Sequence, residues 1–188
     1  MTHDTPDTTS PAGADPQSAE QLDALPPLES LRALDRGVLV RTQREIGRGG
    51  RAFGRAADAL LGWRAHRGAW VRADDPAGGP APDAHPGQRV RVGIGPQVLR
   101  LGGICRVLDV GRTDDRAGFT YATEPAHVED GVERFVVALG PDDVVRGVVE
   151  AWSQPRSALA RHVGPLPWVA PQVITLRYLS ALRRAARG

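Results

Sequence analysis

The chain has 188 residues, a formal net charge of +2, 41% hydrophobic residues and one cysteine, which suits a single domain with a sizeable core and a tail. No run reaches the roughly 18 apolar residues that suggest a membrane span. The first residues lack the basic and apolar regions of a secretory signal, and the lone Cys105 excludes an internal disulfide and fits a reducing compartment; a cytoplasmic location is expected.

All 24 basic residues are arginine. With abundant Ala, Gly and Pro this points to codon bias, so arginine content is weak evidence for phosphate recognition. Residues 1–31 carry six acids and no bases, which splits the net charge into −6 there and +8 in the remainder. A body at +8 attracts polyanions in general. Its arginines are scattered over the chain, however, without the interleaved aromatics that stack bases, and nucleic acid is not expected as a partner.

In chain order, residues 1–27 are rich in Thr, Pro, Asp and Ala and too polar to bury a core. They are expected to be disordered and dispensable for folding, leaving 28–188 as one domain. LESLRAL (28–34) has the pattern of a short amphipathic turn of helix that docks weakly. GVLVRTQREI (37–46) reads as a strand. RAFGRAADALLGWRAH (51–66) reads as a helix with Phe53, Ala56, Ala57, Leu60 and Leu61 on one apolar stripe and Trp63 at its edge. Gly68 ends it, and 69–72 forms a short strand. The Pro/Gly-rich segment 74–87 is expected as a flexible loop.

RVRVGI (89–94) alternates strictly, with Val90, Val92 and Ile94 inward. Turn signals at Gly95-Pro96, Thr113-Asp114-Asp115 and Gly140-Pro141-Asp142-Asp143 then separate strands at about 97–111, 117–124, 131–139 and 144–152. Such short connections favour antiparallel neighbours, because a parallel crossover needs a dozen or more residues. A helical region from about 156 is interrupted at Pro165, Pro167 and Pro171. A main helix of about 171–186 follows, with Pro171 tolerated at its first position.

The predicted architecture is α+β: one early helix and a curved antiparallel sheet of six to seven strands that grips a long C-terminal helix, since one face of such a sheet must be covered. This element order resembles the START and Bet v 1-like helix-grip superfamily, whose members enclose an apolar cavity between sheet and helix. Three blocks also resemble a bacterial and plant family known as domain of unknown function nineteen-ninety: GRGGRAFGRAADALLGW (47–63), Cys105 to Phe135, and WSQPRSALARHVGPLPWVAPQVITLRYLSAL (152–182). The middle block is the most specific, on Tyr121, Thr123, Pro125, His127, Glu129, Gly131, Glu133 and Phe135. Glu124, Ala126 and Val128 depart from the family pattern. The resemblance implies a relationship and no established activity.

Phe119 to Phe135, FTYATEPAHVEDGVERF, also gathers the densest polar cluster between two strands. His127 has an ordinary pKa near neutrality and acids beside it, the setting of a proton-transfer group. Glu133 and Tyr121 flank the loop on strand positions able to point into a cavity. These three are the candidate catalytic residues. Tyr121, Thr123, Glu124, Trp152 and Tyr178 are the candidate ligand-binding residues. Glu124, His127, Glu129 and Glu133 fit no standard metal spacing, so no metal and no cofactor is expected.

Other motifs have plainer readings. Gly47 to Ala52 fits G-x-G-x-x-A, but the preceding strand alternates, unlike the fully buried first strand of a dinucleotide fold, and a glycine-rich helix entry suffices. His66 and His162 are expected to cap helix ends, His85 to do little, and Cys105 to be a buried inert thiol. Ser153 and Ser157 suit helix capping. The function expected is a domain that binds a small apolar molecule between sheet and C-terminal helix. The alternatives are an enzyme using the same cavity, with His127 and Glu133 as acid and base, or a polyanion- or protein-binding module. The oligomeric state is open.

Overall fold

The computed structural model describes residues 38–94, 101–125, 129–155 and 166–188. The tail, LESLRAL, His127, Ser157 and His162 lie outside the described residues. Seven strands form one sheet: β1 (Val38–Arg48), β2 (Val71–Asp74), β3 (Arg89–Ile94), β4 (Leu101–Arg112), β5 (Arg116–Thr123), β6 (Glu129–Leu139) and β7 (Val144–Pro155). Their spatial order is β1-β7-β6-β5-β4-β3-β2, and every pairing is antiparallel. Strands β2 to β7 thus follow one another by hairpins, and β1 closes the far edge beside the last of them.

Alternation along the strands sorts side chains onto two faces. Across β4, β5 and β6 the register sets Val107 beside Tyr121 and Tyr121 beside Glu133, with Phe119 opposite Phe135 one step along. These residues, with Val137, Val145 and Val149, face the core. The intervening residues point to the other face, including Arg41, Glu150, Arg134, Thr120 and Asp109, which lie in one lateral row. Bulges between Glu45 and Gly47 and between Val107 and Asp109 interrupt the register; such insertions bend a strand and increase its twist. The result is a curled half-barrel.

The helices fill its concave side. Helix α1 (Gly49–Leu61) buries Ala52, Phe53, Ala56, Ala57, Ala59 and Leu60, a stripe rich in small residues that lets it lie close to β5 and β6. Trp63 then takes a left-handed backbone, φ 59° and ψ 7°, which costs an ordinary residue conformational energy. That elbow redirects the chain into the short helix α2 (Arg64–Gly68) and leaves Trp63 and His66 buried at 0% and 1% exposure. Helix α3 (Leu166–Arg187) runs back over the open end, burying Tyr178, Leu179, Leu182 and Ala186 at helical spacing. Arg55 donates from Nε and Nη2 to the Ala186 carbonyl, satisfying a C-terminal acceptor that the helix itself leaves open. A Cβ on Gly68 would stand 2.7 Å from that of Ala181, so glycine is what permits α2 and α3 to cross so closely.

The predicted fold is the observed one, with sharper boundaries. The early helix divides in two at Trp63, and the terminal helix begins at Leu166, upstream of Pro171. Segment 74–87 is tied to the core by backbone bonds from Ala81 to Ala73 and from Ala84 to Leu61, and by the Trp63 indole donating to Pro82 O at 2.9 Å. Among the described residues no helix is long and apolar enough to cross a membrane.

Candidate functional site

The interior between sheet and α3 is an aromatic cage around one histidine. Strand β5 supplies Phe119 and Tyr121, β6 supplies Phe135 and Glu133, the elbow supplies Trp63, and α3 supplies Tyr178. The His66 ring centroid lies 4.9 Å from those of Trp63, Phe135 and Tyr178, 5.8 Å from Phe119 and 6.2 Å from Tyr121. The contacts with Trp63 and Tyr178 are edge-on, the geometry that the ring quadrupole favours.

The polar atoms in this cage are unevenly satisfied. Tyr121 Oη donates to Glu133 Oε2 at 2.5 Å. Neither His66 ring nitrogen, nor Tyr178 Oη, has a hydrogen-bond partner among the described residues. An N–H over an aromatic face gains a little, but the acceptor nitrogen of the imidazole and the phenol of Tyr178 gain nothing from such a contact. Leaving a buried polar group unmatched costs about 1–3 kcal/mol.

The same burial governs ionisation. Desolvation, helped by the charge of Arg67, lowers the His66 pKa from its ordinary 6.5 to about 3, so the ring is neutral at physiological pH. Burial, and then the negative charge of Glu133, pushes both Tyr121 and Tyr178 well above the usual phenol range. Burial, followed by the charges of Glu133 and Glu124, raises the Cys105 thiol likewise, which keeps it protonated and inert. The site therefore offers a neutral imidazole, two neutral phenols and a carboxylate held by one of them, in apolar surroundings.

Of the residues singled out in the sequence, Tyr121, Glu133 and Tyr178 converge on this interior. Thr123 is engaged at the strand end, where its hydroxyl accepts from Gly131 N at 2.9 Å. Glu124 is a surface anchor, bound by Arg89 at 2.6 Å and Arg106 at 3.0 Å; the hydrogen bond from Arg89 above all, with the charge of Arg106 behind it, holds its carboxyl below the usual range against partial desolvation. Trp152 is buried, and its register partners Leu39 and Val132 place it on the opposite face of the sheet from Tyr121. His127, the first catalytic candidate, lies outside the described residues.

His66 is the residue that the sequence pattern misplaced. Projected along an unbroken helix it falls off the apolar stripe, and its place near a helix end suggested a cap. Only the left-handed turn at Trp63 resets the phase and turns it inward. The glycine-rich entry is structural as well. The Gly49 amide donates to Asp143 O at 3.0 Å, and a Cβ on Gly47 would stand 3.0 Å from that of Ala52 and 3.2 Å from that of Ala186. A surface cleft of about 690 Å3 opens elsewhere, beside the elbow, among Asp58, Arg64, Arg67, Asp83 and Arg112. Its Arg112 is already paired with Asp58 at 2.7 Å.

A seven-stranded antiparallel half-barrel closed on a C-terminal helix defines a helix-grip protein of the α+β class. More narrowly, the chain belongs to the family described as Domain of unknown function (DUF1990), whose profile matches residues 36–181. Among solved structures, it is similar to a hypothetical protein, jhp0584, from Helicobacter pylori, at 12% identity and a TM-score of 0.54, covering 95% of this chain and 98% of that one. It is also similar to BexL, a di-domain ARO/CYC protein from the BE-7585A biosynthetic pathway, at 14% identity and a TM-score of 0.52, covering 86% of this chain and 53% of that one. StfQ, a di-domain ARO/CYC protein from the steffimycin pathway, aligns at 8% identity with a TM-score of 0.51, over 85% and 53% of the two chains. At such identities these likenesses speak to the fold alone. A search of the curated proteins finds no match.

Proposed function

We propose that the domain binds a small, mainly apolar molecule with an aromatic ring in the interior between the sheet and α3. One observation carries this reading: three buried polar atoms, both His66 ring nitrogens and Tyr178 Oη, face an aromatic cage with no hydrogen-bond partner among the described residues. Native interiors pair such atoms, or let water or a ligand do so. A ring bearing a hydroxyl or carbonyl supplies both, stacking on the cage and exchanging hydrogen bonds with a neutral imidazole and phenol. Pockets with apolar walls and a few convergent polar groups are the common form of a ligand site. A helix-grip fold is compatible with such a cavity.

The test is native mass spectrometry of the protein purified from its own host, alongside titration with the fluorescent probe anilinonaphthalene sulfonate. The expected result is a bound small molecule, and probe affinity reduced about tenfold, or 1.4 kcal/mol, in His66→Leu and Tyr178→Phe. Probe affinity unchanged in both variants, with no bound species, would overturn the reading.

A second reading, an enzyme in the same interior, is favoured by the short Tyr121–Glu133 bond. A phenol bonded to a carboxylate beside a neutral imidazole is an arrangement able to relay a proton. Conversion of a captured molecule by the native protein, lost in Glu133→Gln while binding persists, separates this reading from binding alone. His127 is proposed to guard the mouth of the same interior, with cytoplasmic location as the setting.

A further inference from the structure

Helix α3 has two apolar sides. Tyr178, Leu179 and Leu182 turn to the core. The outer side carries Val173, Leu176, Ser180 and Arg184 at helical spacing, and with Gly68 and Arg177 these line a groove of about 330 Å3. Val173 is 46% exposed and Leu176 40%, and Trp70, between α2 and β2, is 65% exposed. The Arg177 guanidinium carbon lies 3.0 Å from the centre of the Trp70 ring, which joins the indole to the groove. Single apolar side chains scattered over a surface are ordinary, whereas a contiguous patch bordered by charge marks an interaction site.

Trp70 stands there against its own backbone preference. Its φ is 68° and its amide donates to Arg67 O at 3.1 Å, so it ends α2 in the left-handed conformation that glycine or asparagine ordinarily supplies. A bulky residue is disfavoured at that angle, and a ring left mostly in water recovers little through burial. The charge beside it has one sign. Helix α3 holds Arg177, Arg183, Arg184 and Arg187 and no acid, and no acid lines the groove. Arg184 donates to Gly68 O at 3.2 Å, a neutral acceptor that leaves its charge unmatched. Among the described residues Arg177 Nε is buried with no hydrogen-bond partner, and no ion pair joins these arginines to an acid. Arg184 and Arg187 also suit the helix C-terminus; Arg177, two turns earlier, has no such role.

We infer that this patch docks on the surface of a bilayer containing anionic lipid, with Trp70, Val173 and Leu176 at headgroup level and Arg177 and Arg184 against the lipid phosphates. Tryptophan favours that depth, and basic side chains gain there from the negative surface potential. Three part-exposed apolar side chains fall short of the roughly 800 Å2 per partner of a stable protein interface. A two-fold pairing with a second copy would repeat the patch on both sides and set its arginines against one another. A bilayer asks only for a few apolar side chains with basic residues around them. This inference goes beyond the binding of a small molecule in the interior and stands without it.

Flotation of the full chain with vesicles tests this, phosphatidylcholine alone against an equal mixture of phosphatidylcholine and phosphatidylglycerol. The expected result is binding to the mixed vesicles, weaker by about tenfold or more on the neutral ones. Arg177→Gln with Arg184→Gln is expected to weaken binding to the mixed vesicles by about tenfold or more, Trp70→Gly by about tenfold and Leu176→Ser by about fivefold. Trp70→Gly should also hold or raise the melting temperature, because glycine accepts a positive φ, which separates lost docking from lost folding. Leu176 is exposed, so Leu176→Ser decides the matter even if the glycine variant fails to fold. Leu108→Ser, at an exposed position outside the groove, should change nothing. Absence of flotation with the mixed vesicles overturns the inference. So does flotation of Trp70→Gly and Leu176→Ser equal to that of the wild type, which would reduce the effect to a general attraction between arginine and anions. A dimer in sedimentation that Leu176→Ser abolishes would assign the patch to a second copy and overturn it as well.

Discussion

The two faces of the sheet are built from the same strands and obey opposite rules. On the concave face, Phe119, Tyr121 and Phe135 pack with Trp63 and Tyr178 around His66, whose nitrogens have no hydrogen-bond partner among the described residues. On the other face, one residue along, Arg41, Glu150 and Arg134 form an ion-pair series, 3.1 Å between the first two and 3.8 Å between the second pair. The concave face is mainly aromatic and apolar; the convex face satisfies charge by neighbour pairing across strands. The lesson is that alternation at period two lets one sheet carry an aromatic interior on one face and a charged row on the other without compromise between them, because no side chain serves both.

The sharpest way to break this contrast is at the elbow. Trp63→Ala removes a fully buried ring and its bond to Pro82, and urea unfolding is expected to show a loss of about 3–5 kcal/mol. A loss no larger than that from a surface substitution would mean that the cage is not the core. Next, Tyr121→Phe strips the donor from Glu133 within the apolar interior. Since hydrogen bonds to charged groups contribute about 1.5–3 kcal/mol, stability should fall by that order, and Glu133→Gln should restore part of it in the double variant.

The third test uses pH. His66 is neutral in the folded protein with a pKa of about 3, against an ordinary 6.5 when unfolded. Below pH 6.5 the unfolded chain binds a proton that the folded chain refuses, so the stabilising difference present above 6.5 is lost progressively as pH falls toward 3. Each pH unit within that window removes about 1.4 kcal/mol, or about 2 kcal/mol by about pH 5. His66→Leu should flatten this part of the stability–pH curve; an unchanged slope would show that the ring is protonated or solvated. Asp109, raised mainly by burial, acts in the opposite sense, so the comparison is between wild type and variant rather than of absolute slopes. The smallest effect belongs to the exposed Arg89–Glu124 pair. Arg89→Ala should leave the melting temperature within measurement error, since exposed ion pairs contribute little.

Much of this was legible along the chain. The alternation Val90, Val92 and the turn residues at Thr113–Asp115 and Gly140–Asp143 announce hairpins, and hairpins announce antiparallel pairing, because local backbone chemistry determines them. Tyr121 and Glu133 could be nominated together since they flank one loop on facing strands, and the observed register pairs them directly. The face on which Trp152 lies was not legible, because a buried indole in a strand reads the same on either face; its side of the sheet depends on pairing with Leu39 and Val132 from distant parts of the chain.

Sequence by itself thus determined the class of fold, the order of its elements and the strand pair that carries the Tyr121–Glu133 bond, all consequences of periodicity and turn chemistry acting over a few residues. Tertiary structure alone decided the centre of the site. His66 enters the interior because Trp63 adopts a left-handed turn that local preference disfavours and that burial of the Trp63 ring, with its bond to Pro82, holds in place. A residue whose orientation is settled by packing against β5, β6 and α3 leaves no periodic signal of its own, and the unmatched nitrogens that make it informative exist only once the chain has closed around them.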